Sequence, residues 1–108
     1  MSINKLATEL TLKTLLIETI TMGIRYALLV RNNVDHPMIR SMNNEGMRCA
    51  ANILASILPG ICPAKVMNVF ESLSEKDMDR YAWQGMDMND VEKVLALICR
   101  EDVETDDA

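Results

Sequence analysis

Residues 3–31 carry apolar side chains on two faces of one helical repeat, and this constrains the fold more than any other feature. One stripe runs through Ile3, Leu6, Leu10, Ile17, Ile20, Ile24 and Ala27, interrupted at Lys13. The other runs through Leu12, Leu15, Leu16, Met22, Tyr26, Leu29 and Val30. A helix lying on its own core needs one apolar stripe, so a second stripe requires a second cover. In a chain of 108 residues the core is adequate but modest, and another subunit is the simplest cover. The alternative is a central helix wrapped by the rest of the monomer. The first option predicts a homodimer through this helix, with Leu6, Leu10, Ile17, Ile20 and Ile24 at the interface. Thr8, Thr11, Thr14, Thr19 and Thr21 weaken helix propensity, and Leu10–Thr14 alternates like a strand. The length of the periodic pattern outweighs that local conflict.

The remaining sequence is also helical in pattern. Asn32-Asn33 ends the first helix. Asp35 is placed to cap a short helix over 36–43, with Pro37 in its first turn. Asn43 or Asn44 then caps a helix to about Ile57, with Met47, Ala50, Ala51 and Leu54 inward. Pro59-Gly60 breaks the chain, and Pro63 opens a helix to about Ser72 with Val66, Val69 and Phe70 inward. Ser74 caps a short helix over 75–84, unless Tyr81-Ala82-Trp83 is extended. Asp87 or Asn89 caps a last helix over 90–100, built on Val91, Val94, Leu95, Leu97 and Ile98. The expectation is one all-α domain over residues 1–100, a small helical domain with a long N-terminal dimerisation helix, followed by a disordered acidic tail over 101–108. The composition, 49% apolar and 25% charged, is that of a folded chain.

Charge narrows the function. The net charge of −5 divides into +3 over residues 1–70 and −8 over residues 71–108. Affinity for a phosphate backbone comes mainly from Lys and Arg, so this chain is not expected to bind nucleic acid unaided. Met1–Lys5 has one base and no apolar run before Glu9, and no apolar run is long enough for a membrane span; a cytoplasmic protein is expected. Cys49, Cys62 and Cys99 fit reduced thiols acting as small buried hydrophobes. With His36 the only histidine and no close cysteine pair, no metal or cofactor is expected. His36 has no evident nucleophile partner, and Asp77, Asp79, Asp87 and Asp90 fall where helix caps and first-turn acids belong. No glycine-rich nucleotide loop is present. The chain is therefore expected not to be an enzyme.

Two features point to binding. Nine methionines outnumber four aromatics, and Met38, Met42 and Met47 suit either an adaptable surface or core filling. Trp83 suits either an interface anchor or the core. Residues 44–72 also have the outline of a helix-turn-helix, in which Lys65 and Asn68, with Arg48, are the candidate DNA contacts and Glu71 repels phosphate. A plain αα-hairpin has the same outline.

Three stretches are similar to the FlhD family of bacterial transcription activators: Ile20–Val30, then Asn44-Glu45-Gly46-Met47 with Leu54–Pro59, then Val91–Leu95. The similarity spans about residues 17–98 with insertions and deletions. It implies a helical homodimer that joins a larger, zinc-containing FlhC-like subunit, binds promoter DNA within that complex and recruits RNA polymerase. The zinc then belongs to the partner. It also implies an activation surface near Asp35, Arg40 and Asn44. The family's flagellar members carry a cysteine that can bridge the dimer, whereas Asp79–Trp83 here contains none, so a covalent dimer is not implied. The N-terminal extension and acidic tail suit a mobile-element relative. The competing reading is a small acidic helical inhibitor, such as an immunity or phage counter-defence protein, whose acidic face blocks a basic nucleic-acid-binding surface.

Overall fold

The computed structural model describes residues 3–100, and those residues are all-α. In chain order they form α1 (Ile3–Asn32), α2 (Pro37–Ile57), α3 (Pro63–Ser72), α4 (Glu75–Asp79), a π-helical turn (Arg80–Gln84) and α5 (Met88–Cys99). The acidic tail 101–108 and the side chain of Leu6 lie outside the described residues.

Local chemistry sets the element ends. Ser74 Oγ accepts from the Asp77 backbone N–H at 3.1 Å and starts α4. Asp87 and Asp90 form a reciprocal capping box at the start of α5, two orphan donors satisfied at once. Gly60 and Gly85 take positive φ (78° and 97°) where the chain must turn, a conformation that costs glycine little. The helix over 75–84 keeps its expected span, but its second half widens into the π turn.

The start of α2 differs from expectation. It runs unbroken from Pro37, because Asn43 Nδ2 donates to the Ile39 carbonyl at 2.9 Å and stays within the helix instead of capping a new one. His36, not Asp35, occupies the N-cap position, without a side-chain cap bond.

α1 is the central element, packed on every other helix and on the π turn. Leu16, Ile20, Ile24, Ala27 and Leu28 meet Met47, Ala51 and Leu54 of α2 and Val66 and Phe70 of α3, with Met78, Tyr81, Val91, Val94 and Ile98 closing the far side. Two glycines permit the close approach. A Cβ at Gly23 would lie 2.3 Å from the Phe70 ring, and one at Gly46 would lie 2.5 Å from the Tyr26 ring.

This packing corrects part of the expected dimer interface. Ile20 and Ile24 are 0% exposed within the monomer, so neither can reach a second chain. Ile17 is half-buried against the same core. The C-terminal half of α1 is covered by the monomer on the side of Ile20, Ile24, Ala27 and Leu28, while Met22 and Arg25 stay exposed. The N-terminal half is not wrapped. Every residue from Thr8 to Leu15 is exposed, so this part of the helix projects as a stalk. At about 1.5 Å per residue, α1 is long enough to account for most of the 52 Å long axis.

The cysteines are a second correction, since Cys49, Cys62 and Cys99 are all exposed thiols. Cys49 and Cys99 lie on the outward sides of α2 and α5, and Cys62 is the extended residue just before α3. No helix among the described residues is long and apolar enough to cross a membrane.

Candidate interaction surface

The uncovered apolar surface lies mainly on the second stripe of α1. Leu12, Leu15 and Met22 are exposed, Tyr26 and Leu29 are half-buried, and Leu16 and Val30 of the same stripe are buried within the monomer. Leu10, from the first stripe, is 54% exposed because the core ends before reaching it. Shallow depressions flank Leu15, one lined by Leu10, Thr11, Thr14 and Glu18 and the other by Thr8, Thr11 and Leu12. A stalk with apolar groups on several sides is marginal as an isolated helix in water, since most helical stability comes from packing an apolar face.

A second feature adjoins this stripe at Arg25, one turn beyond Met22. Arg25 Nε donates to the Ala82 carbonyl at 2.7 Å, and the guanidinium carbon stands 5.4 Å from the centre of the Trp83 ring. The π turn supplies both contacts, since Ala82 and Trp83 lie within it. Trp83 is 58% exposed and so does not close the core. Trp and Arg are both among the residue types enriched at binding hot spots, and π turns recur at functional sites. The methionines divide similarly: Met47 and Met78 are core residues, whereas Met38, Met42 and Met22 are exposed.

The π turn is anchored from below. Arg80 donates to Asp90 Oδ1 at 2.7 Å and lies 4.7 Å from the Tyr81 ring centre. Asp90 is nearly buried, and Oδ2 also accepts from the Asp87 backbone N–H at 3.2 Å. Burial pushes the Asp90 carboxyl up; the Arg80 hydrogen bond, the Asp87 N–H and the charges of Arg80 and Lys93 outweigh it and hold it below the ordinary carboxylate value. A carboxylate depressed on folding contributes stability above its unfolded pKa of about 3.9, and that contribution is lost as pH falls through the depressed value. Asp90→Asn is therefore expected to lower the urea midpoint at pH 7 and to flatten the loss of stability below about pH 4. Urea titrations from pH 7 to pH 3 read both effects.

The candidate DNA contacts stand on two helices, Arg48 on α2 and Lys65 and Asn68 on α3. Lys65 Nζ donates to the Arg100 carbonyl just past the end of α5, where a cation suits the helix dipole. Asn68 is exposed beside it, in a depression also lined by Ser72, Leu97 and Arg100. Arg48 stands on α2 and pairs with Glu45 at 3.5 Å. Residues 58–62 between α2 and α3 exceed the three or four residues usual in a helix-turn-helix turn.

Of the expected activation surface, Arg40 and Asn44 line one cleft with Val30, Pro37, Ser41 and Glu71, but Asp35 does not. Arg31 closes that region by donating to the Glu71 and Leu73 carbonyls at 2.6 and 3.2 Å.

Sequence reasoning missed the Arg25–Trp83 pair and the burial of Asp90. The aspartate left a signal, a D-x-x-D capping box at Asp87. The Arg–Trp pair left none, because its members are far apart in the chain. No family model, no curated protein and no solved structure matches this chain.

Proposed function

We propose that this chain is a non-enzymatic, FlhD-like subunit of a transcription-activating complex. In this reading it pairs with a second copy through α1 and joins a larger, basic, zinc-containing FlhC-like subunit. That partner supplies most of the positive surface for promoter DNA, and the assembly recruits RNA polymerase. The observation that carries the reading is the uncovered apolar surface of α1, with Leu10, Leu12, Leu15 and Met22 exposed on a helix whose other end is the centre of the core. Contiguous apolar surface of this kind marks protein–protein contact. The charge distribution agrees with a subunit that depends on others for DNA: the body carries +3 and residues 71–108 carry −8.

A gel shift with promoter DNA tests the reading. The pure protein at physiological salt is expected to leave the DNA unshifted, and addition of a co-purifying basic zinc protein is expected to produce a sequence-specific shift. A specific shift by this chain alone would overturn the reading. So would a partner whose capture depends on residues 101–108, because that dependence belongs to an acidic inhibitor of a basic surface.

A further inference from the structure

We propose that the outer stripe of α1 pairs antiparallel with the same stripe of a second copy, about a two-fold axis near Met22. Glu18 of each chain then meets Arg25 of the other, and each Leu15 lies over the other chain's Leu29. This inference rests on the self-association in the reading above and specifies its register.

The pattern along the stripe is the first argument. Leu15, Glu18, Met22, Arg25 and Leu29 follow the alternating three- and four-residue spacing of a seam between paired helices. They are also nearly symmetric about Met22, with Glu18 four residues before it, Arg25 three after it and a leucine seven residues to either side. A two-fold interface must be complementary to itself, so that residue i meets j and j meets i. This stripe satisfies that condition when two copies run antiparallel. A parallel pairing would set Glu18 against Glu18 and Arg25 against Arg25, which electrostatics disfavours.

The monomer leaves both charges available. Two helical turns separate Glu18 from Arg25, about 10.5 Å along the axis, which is too far for an ion pair within one chain. Among the described residues, neither takes part in a salt bridge. Arg25 is held in position by the Ala82 carbonyl and the Trp83 ring, and among the described residues its Nε is the only side-chain donor engaged. A fixed guanidinium loses less conformational freedom on binding than a free one.

Area is consistent with a stable pair. The exposed parts of Leu12, Leu15, Met22 and Trp83 amount to on the order of 400 Å² of side-chain surface. A stable interface buries about 800 Å² per partner, a little over half of it apolar.

Charge reversal in the full chain tests the register. Sedimentation equilibrium at about 0.1 M salt is expected to give a dimer for the wild type and at least a tenfold rise in Kd for either Glu18→Arg or Arg25→Glu. An equimolar mixture of the two single variants is expected to form a heterodimer within about threefold of the wild-type Kd, since each cross-chain contact then joins opposite charges. The double variant Glu18→Arg/Arg25→Glu is expected to recover in the same way. Thermal melts confirm folding, and Glu18→Arg leaves the Ala82 and Trp83 contacts untouched. A wild-type dimer that neither reversal weakens would overturn the register while leaving self-association standing, as would a mixture no tighter than its components. A wild type that stays monomeric at hundreds of micromolar would overturn both.

Discussion

Phe70→Ala is expected to lower the free energy of unfolding by about 3–5 kcal/mol, a large part of the ~5–15 kcal/mol that holds a domain of this size together. Phe70 is 0% exposed and is the largest fully buried side chain. It sits on α3 with its ring against the backbone of α1 at Gly23, so it joins the central helix to α3. Truncation removes the apolar transfer energy and leaves a cavity. The chain around it cannot close that cavity easily, because α1 is fixed on its other sides by α2, the π turn and α5. In urea unfolding followed by circular dichroism, the midpoint is expected to fall with the slope unchanged. An unchanged midpoint would mean that α3 is not held to α1 by this contact.

Gly23→Ala is also expected to destabilise the fold, although alanine is the better helix former. A methyl there would stand 2.3 Å from Phe70 Cε2 and 2.7 Å from Cζ, well inside van der Waals contact. Overpacking of this kind costs about 1–3 kcal/mol, against a gain of about 1 kcal/mol in helix propensity. The ring has no free space to turn into, since it is wholly buried. A smaller side chain at position 70 relieves the clash, so Gly23→Ala/Phe70→Leu is expected to lose less stability than the two single changes added together. Additive losses in that double-mutant cycle would place the strain elsewhere. Gly46→Ala provides a contrast. Its methyl would meet the Tyr26 ring at 2.5 Å, but Tyr26 is half-buried and has room to swing outward.

Much of the architecture was legible in local chemistry. The helix over 63–72 follows from Pro63 at its start and Val66, Val69 and Phe70 on one side. The last helix follows from its aspartate cap and the spacing of Val91, Val94 and Ile98. The break at Asn43-Asn44 was misread because asparagine caps a helix or stays inside one with similar ease, and only the bond from Asn43 to the Ile39 carbonyl shows which it does. Cys49, Cys62 and Cys99 were misread for a different reason. A small side chain carries little apolar area, so its neighbours decide whether it is covered.

The interaction surface was half legible. Two apolar stripes on one long helix state that two faces need cover, and this is a property of residue spacing alone. The stripe that the monomer covers was settled by tertiary packing. Gly23 presents the backbone of α1 to Phe70 on the side of Ile20 and Ile24, which turns Leu12, Leu15 and Met22 outward. Trp83 was visible as a candidate anchor, but its clamp was not, because Arg25 and Ala82 are 57 residues apart and meet only when the π turn packs on α1. By itself the sequence determined the helices, most of their ends and the existence of a surplus apolar face, all consequences of neighbours within a few turns. Only the tertiary structure decided which face is surplus and which charges border it, because those depend on the close approach of segments distant in the chain.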